Sequence, residues 1–152
     1  MTDGVDNALP DVFGEGSQTT FEELLGIVKR SSAIIFPIYL DTEDAEIKAH
    51  RAPRSAYELA RGQLAQLADT SGAVVYKANK LNDLENVYEQ VIRDLGTVYS
   101  IGYRPKKSSR DGKWHEVNVR LVNHPELTAR TRNGYYAKAL ITGSEIELLR
   151  PW

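Results

Sequence analysis

The chain has 152 residues, 41% of them hydrophobic and 26% charged, a balance typical of a globular domain long enough to bury a core. Its formal net charge of -2 gives no overall field that would attract nucleic acid or an anionic membrane surface, and no apolar run approaches the ~20 residues that span a bilayer. Because the chain contains no cysteine, disulfides and thiolate metal sites are excluded.

The first predicted element is an acidic loop over residues 3–18. It overlaps a turn formed by Thr2, Asp3, Gly4, Val5, Asp6 and Asn7. Turns of this kind usually follow a buried parallel strand, where the carboxylates can face a metal ion, but only Met1 precedes this one. Asp3 and Asp6 have two interpretations: ligands of a divalent cation, or acceptors in an Asx-type turn. A single loop rarely supplies the about six oxygens that Mg²⁺ needs, so we expect the Asx-type turn in this chain by itself.

Residues 20–52 predict a helix, a strand and a loop. Thr20 and Glu23 have the spacing of a capping box, and the helix that they start has one apolar stripe, formed by Phe21, Leu24, Leu25 and Val28. The apolar run 33–40 predicts a strand buried on both faces, although Pro37 lacks the amide that a ladder needs. Residues 41–52 predict a charged loop that begins with Asp41, Thr42, Glu43 and Asp44.

The next stretch continues this alternation. Residues 54–71 predict a helix with Gly72 as its C-cap, and residues 73–76 predict a short strand. Asn82 is the expected N-cap of a further helix that ends at Gly96. Its apolar residues recur with helical periodicity, namely Leu84, Val87, Tyr88, Val91, Ile92 and Leu95, and of these we expect Leu84, Val87, Val91 and Leu95 to be core. Helices and strands that alternate over residues 20–95 indicate an α/β fold with a parallel sheet.

The pattern changes after Gly96. Residues 98–103, 114–121 and 127–131 alternate as antiparallel strands do, and the pairs Asp111-Gly112 and Asn133-Gly134 have turn composition. The sequence thus divides into an α/β part at 1–97, an antiparallel β extension at 98–138 and a tail at 139–152.

Several spaced motifs give the chain a resemblance to a known family. Residues 2–7 resemble the T-D-G turn after the fourth strand of von Willebrand factor type A (VWFA) domains, and residues 20–25, 34–40 and 64–76 resemble the elements that follow it. The C-terminal motifs are more specific, since YSIGYRP, DGKWH and RNGYYA are similar to the pattern that ends the bacterial, acidobacterial-type VWFA-related subgroup. The resemblance covers roughly residues 2–138.

The resemblance implies a doubly wound, Rossmann-like α/β sheet, of which this chain would be the C-terminal portion, with the β extension appended. The family binds Mg²⁺ or Mn²⁺ at the carboxyl ends of the strands, at a metal-ion-dependent adhesion site made by a D-x-S-x-S loop, a Thr and the Asp of the T-D-G turn. Only the last of these is present, as Asp3, so we expect metal in the intact domain and none in this chain. The residues expected at the rim of this site are Thr2, Gly4, Asp6, Asn7, Asp41, Glu43 and Asp44.

By this resemblance the chain is a non-enzymatic binding module whose intact form mediates metal-assisted protein recognition or adhesion, in a bacterial parent that is secreted or lies in the cell envelope. The alternatives are a metal-independent structural or assembly domain, a hydrolase and a nucleic-acid binder. His50, His115 and His124 lie in no hydrolase motif, and we predict no catalytic residue. A basic cluster near aromatic side chains is what suggests nucleic acid, namely Arg104, Lys106, Lys107, Arg110 and Lys113, but the net charge leads us to expect neither nucleic acid nor membrane as a partner.

We also expect the chain to self-associate as a homodimer. Without the first strands of the family fold, the strand at 34–40 would present an edge of unpaired amides and carbonyls, and such an edge recruits another strand. In the alternative, the segments 98–103, 114–121 and 127–131 fold back over that edge and the chain is a monomer.

Overall fold

The computed structural model describes residues 4–105, 110–124 and 126–137. In chain order the elements are helix α1 (Phe21–Arg30), strand β1 (Ile38–Leu40), helices α2 (Glu43–Lys48) and α3 (Arg54–Ser71), strand β2 (Tyr76–Ala78), a 3₁₀ turn (Leu81–Asp83), helix α4 (Leu84–Leu95), and strands β3 (Trp114–Glu116) and β4 (Gly134–Tyr136). The predicted tail at 139–152 lies outside the described residues.

Helix α1 begins at the predicted capping box. The Thr20 hydroxyl accepts from the Glu23 amide at 3.2 Å, and a Glu23 carboxylate oxygen accepts from the Thr20 amide at 2.9 Å. Leu25 and Val28 are buried, and Leu24 is 38% exposed. The helix therefore turns one half of its predicted stripe inward, toward α3.

The parallel sheet has two strands, β1 and β2, which pair Ile38 with Tyr76 and Leu40 with Ala78. The prediction of a strand over 33–40 is too long, because the Ile35 amide donates to the Ser71 hydroxyl at 3.0 Å instead of to a neighbouring strand. The prediction of a strand over 73–76 is shifted, because the Ala73 amide still closes the end of α3 by donating to the Ala68 carbonyl at 2.8 Å.

Helices cover both faces of this sheet. Ile38 and Ala78 point toward α4 and form a buried cluster with Tyr76 and Val87. Since side chains alternate along a strand, Tyr39 points the other way, toward Arg61 of α3. Helix α3 ends as predicted at Gly72, whose φ of 87° is the left-handed conformation of a C-cap glycine.

Two sequence predictions around the helices are wrong. The charged loop expected at 41–52 contains helix α2, whose first turn carries the acidic residues Glu43, Asp44 and Glu46, which suit a helix N-terminus. The N-cap of α4 is Asp83 and not Asn82, and the Asp83 carboxylate accepts from the Asn79 and Lys80 amides at the start of the preceding 3₁₀ turn.

Helix α4 buries less of its stripe than the sequence suggests. Val87 is buried, and Leu84 and Val91 pack at the edge of the same core. Leu95 is 52% exposed, so the prediction that it belongs to the core is wrong. Tyr88 and Ile92 are also exposed. The two-stranded sheet is too narrow to cover the whole apolar face of the helix.

The C-terminal strands form a second sheet. Strands β3 and β4 are antiparallel, with Trp114 opposite Tyr136 and Glu116 opposite Gly134. The segments 98–103 and 127–131 are not strands, and only the first part of 114–121 is one. The predicted turn at Asn133-Gly134 is wrong, because Gly134 begins β4 and lets the backbone of β3 approach closely.

The architecture is therefore mixed α/β, with one small parallel sheet and a separate small antiparallel sheet. Within the described residues, no helix has the length and the apolar character that a membrane span requires.

Candidate functional site

Gly4, in the acidic turn near the start of the chain, packs against β1 and α3. Thr2 and Asp3 fall outside the described residues. Gly4 has a φ of +81°, and a Cβ built on it would be 2.8 Å from Leu64 Cδ1 and 3.3 Å from Tyr39 Cδ2. The turn therefore packs closely against α3 and β1 at a position where only glycine fits.

Asp6 has a structural role in the loop that follows. Its Oδ1 accepts from the amides of Ala8 and Ser17, both at 2.9 Å. Hydrogen bonds from Ser17 and Ala8 lower the pKa of this carboxyl group, because they favour the charged form. The interpretation as an Asx-type turn is confirmed for Asp6, and its neighbour Asn7 is exposed.

Asp41 follows β1 directly and is paired across the sheet. Its Oδ2 lies 2.8 Å from Lys77 Nζ on β2, and its backbone amide donates to the Ala78 carbonyl at 2.9 Å. The hydrogen bond from Lys77 lowers the pKa of Asp41, and a weaker bond from the Glu43 amide acts in the same direction. This carboxylate is therefore ionised and already has a cationic partner.

Glu43, in the first turn of α2, is held by two arginines of α3. One carboxylate oxygen lies 2.6 Å from Arg61 Nη1 and the other lies 3.2 Å from Arg54 Nη1, while only 12% of the Glu43 side chain is exposed. The bond with Glu43 raises the pKa of Arg61. Asp44, the next predicted rim residue, is exposed.

Tyr39 lies at the centre of these charges. It is 2% exposed, and burial raises the pKa of its hydroxyl, an effect that the adjacent Arg61 partly opposes. Lys77 Nζ lies 6.0 Å from the centre of the ring. We define the β1-edge cluster as Tyr39, Asp41, Glu43, Arg54, Arg61 and Lys77.

The β1-edge cluster does not fit Mg²⁺ or Mn²⁺ by itself. Its two carboxylates face three cationic side chains, so the local charge is +1 and repels a divalent cation. Across the described ranges no group of three acidic or histidine side chains is placed to hold a metal ion. A site would need oxygens from outside this cluster.

The sequence did not point to the cationic half of the cluster. Arg54 and Arg61 are seven residues apart on α3, which is two helical turns and therefore one face. Lys77 is the register partner of Tyr39 on β2. These relations follow only once α3 and β2 are placed against β1, so the helix spacing was the one usable signal.

The predicted nucleic-acid cluster is only partly within the described residues. Arg104, Arg110 and Lys113 are exposed, while Lys106 and Lys107 lie outside the described residues. Trp114 is occupied in packing, because its ring makes an edge contact with Tyr136 at 5.0 Å. Trp114, one of the aromatic residues near this basic cluster in the sequence, is thus part of the second sheet's own packing.

The three histidines lie in separate places. His115 Nε2 is 3.2 Å from Asp111 Oδ1, and its ring stacks on Tyr135 with centroids 5.5 Å apart. His124 Nδ1 is 3.1 Å from Glu126 Oε1, and His50 Nδ1 is 3.1 Å from the carbonyl oxygen of Lys48 at the end of α2. The first two contacts join neighbours within the C-terminal extension.

A scan against models of known protein families, a search of curated proteins and a search of solved structures each return no match for this chain.

Proposed function

We propose that the chain is the C-terminal portion of a VWFA-related domain and acts as a non-enzymatic module for protein recognition. The observation that carries this proposal is the packing of Gly4 against Tyr39 of β1, beside the charged side chains of the β1-edge cluster that follow this strand. Ligands of open α/β sheets bind at the carboxyl ends of the strands, and Asp41 and Glu43 follow the carboxyl end of β1.

The doubly wound fold is part of the same proposal. Strands β1 and β2 would be the last two parallel strands of the sheet, with α3 and α4 on opposite faces as in folds of this class. The antiparallel pair β3 and β4 would be the extension of the VWFA-related subgroup.

The chemistry of the cluster favours binding over catalysis. Asp41 has a lowered pKa and is neutralised by Lys77, which makes it a weak general base near neutral pH. The cluster instead presents paired charges on packed elements, and such a surface selects partners by charge complementarity. In the intact domain, Asp3 together with residues from other segments would add Mg²⁺ or Mn²⁺ to this recognition.

The experiment is a selection of displayed peptides against the immobilised chain, followed by affinity measurements on edge variants. Lys77→Glu and Asp44→Lys change exposed charges at the edge of the sheet. We expect each substitution to lower the affinity of the chain for the selected peptides about tenfold. Glu85→Lys, on the exposed side of α4, is the matched control and should have no effect. Peptides that bind the edge variants as tightly as the unaltered chain would refute the proposal.

A metal-independent assembly role is the second candidate, because α4 leaves apolar side chains exposed away from the β1-edge cluster. We expect peptide affinities to be unchanged by Mn²⁺, since the carboxylates of the cluster are already paired.

A further inference from the structure

Helix α4 carries an apolar stripe on its solvent side. Tyr88 is 48% exposed, Ile92 67% and Leu95 52%, and their spacing of four and three residues places them on one face. Val98 and Tyr99, which follow the helix in the chain, are exposed as well. We call these five residues the α4 stripe.

The α4 stripe is distinct from the core face of the same helix. Leu84, Val87 and Val91 pack against the cluster that includes Tyr76 and Ala78 of β2. The side chains of the α4 stripe are exposed to solvent instead. An exposed apolar patch is characteristic of an interaction surface.

The polar flank of the stripe indicates what covers it. Glu89 and Arg93 border the stripe on one side, are 62% and 66% exposed, and form a loose pair at 3.6 Å. A flank with an acidic residue followed one turn later by a basic residue is complementary to itself when two copies run antiparallel.

We propose that the α4 stripe is a homodimer interface in which two copies of α4 pack antiparallel about a two-fold axis beside Val91 and Ile92. Tyr88 of one copy then lies opposite Leu95 of the second copy, and Glu89 lies opposite Arg93. In a parallel two-fold pair this flank would face the opposite flank of the partner helix and the Glu89–Arg93 pairing would be lost, so the charges favour the antiparallel arrangement. This inference does not depend on the proposed function of the β1-edge cluster.

The size of the interface sets the expected strength. Standard interfaces use about 20–30 residues on each side, whereas the stripe and its flank supply fewer. We therefore expect a dissociation constant in the micromolar range, with rapid exchange between monomer and dimer.

Sedimentation equilibrium of the full chain over a wide concentration range measures this association. Ile92→Glu places a charge at the centre of the stripe, and we expect it to weaken the dimer at least about 30-fold. Leu59→Glu is the matched control, because Leu59 is 47% exposed on α3 and should leave association unchanged. Both substitutions lie on exposed positions, so folding should survive, which circular dichroism checks.

A charge exchange tests the geometry. Glu89→Arg and Arg93→Glu should each weaken self-association, because like charges then meet across the axis. The two variants mixed together should form a heterodimer, which an internal pair within one helix does not explain. A dimer that forms equally well in both single variants refutes the antiparallel arrangement.

The experiments also distinguish a dimer from other ways in which the α4 stripe could be covered or left bare. A strictly monomeric chain at high concentration overturns the proposal. Because the chain has no cysteine, Ile92→Cys introduces a single thiol. If that thiol reacts slowly in a monomeric chain, residues 138–152 of the same chain cover the stripe instead; if its protection increases with protein concentration, the dimer is supported.

Discussion

Arg132 shows what a single side chain of the C-terminal motif does. Its Nη2 donates to the Lys29 carbonyl at 2.9 Å and to the Ser31 carbonyl at 2.6 Å, at the end of α1. These carbonyls have no partner within the helix, and a cation suits the negative end of the helix dipole. The arginine of the RNGYYA motif therefore fastens the second sheet to α1.

We expect Arg132→Ala to lower the free energy of unfolding by about 1.5–3 kcal/mol, the range for hydrogen bonds that involve a charged group. Urea denaturation followed by circular dichroism measures the loss. Arg120→Ala, at an exposed position in the same region, should stay within about 0.5 kcal/mol of the unaltered chain. Equal effects of the two substitutions would show that Arg132 is not a cap.

Gly134 is required by close packing between β3 and β4. A Cβ at this position would lie within 2.7 Å of the Trp114 ring and closer still to the His115 carbonyl oxygen. We expect Gly134→Ala to separate the two strands and to shift the Trp114 fluorescence. Gly62→Ala is the control, since a Cβ there meets nothing within 4 Å, and alanine should stabilise α3 by about 0.5–1 kcal/mol.

Because of Tyr76, the free energy of unfolding should decrease at alkaline pH. Burial, and then its hydrogen bond to Asp94, raises the pKa of the Tyr76 hydroxyl to about 12, against about 10 in an unfolded chain. The contribution of the protonated Tyr76 hydroxyl to the free energy of unfolding is fully present below about pH 10 and is lost as the pH rises toward about 12. Urea unfolding across this window should show a steeper loss than in Tyr76→Phe; parallel curves would contradict the assignment.

At the scale of elements, the sequence predicted those with strong local signals. The Thr20–Glu23 capping box and the glycine after Ser71 place α1 and α3 correctly. The strands are shorter than predicted because Ile35 and Ala73 donate to α3 instead of to a ladder. These are tertiary contacts, and they override the β-propensity of an apolar run.

The core face of α4 gives a test at this scale. Val87 is 4% exposed and packs with Ile38, Tyr76 and Ala78, so Val87→Asp buries an unpaired charge and should abolish cooperative unfolding. Val91→Asp should lower the stability less than Val87→Asp does, because Val91 is only partly buried. Glu85→Ala, on the exposed side, should change stability by no more than about 0.5 kcal/mol. Thermal denaturation of the three variants ranks them.

For the molecule as a whole, the sequence placed the acidic half of the candidate site near the end of β1. Asp41 directly follows β1 and Glu43 begins α2, after the strand that the apolar run predicted. Their partners Lys77, Arg54 and Arg61 come from β2 and α3, and no local pattern states which distant cations will reach a given carboxylate. The order of elements along the chain therefore predicted that acidic side chains follow β1, but it did not predict which cationic side chains pair with them.

The paired charges lead to an expectation for metal binding. We expect isothermal titration with millimolar Mn²⁺ to give weak heats or none, because Asp6 bonds to amides and Asp41 and Glu43 bond to cations. A saturable micromolar site that disappears in Asp3→Ala would contradict this. Lys77→Ala serves as a second check, since freeing Asp41 should increase any weak binding.

The contact between Arg132 and α1 also bears on how the molecule is made. The two carbonyls that it reaches are 103 and 101 positions earlier in the chain, so the ribosome has finished α1 long before it adds Arg132. Until then these two carbonyls lack the guanidinium that caps them, so the end of α1 is completed only after Arg132 has been added. Contacts this distant slow folding. A nascent chain stalled before Arg132 should therefore expose the end of α1 to proteases that spare the finished protein.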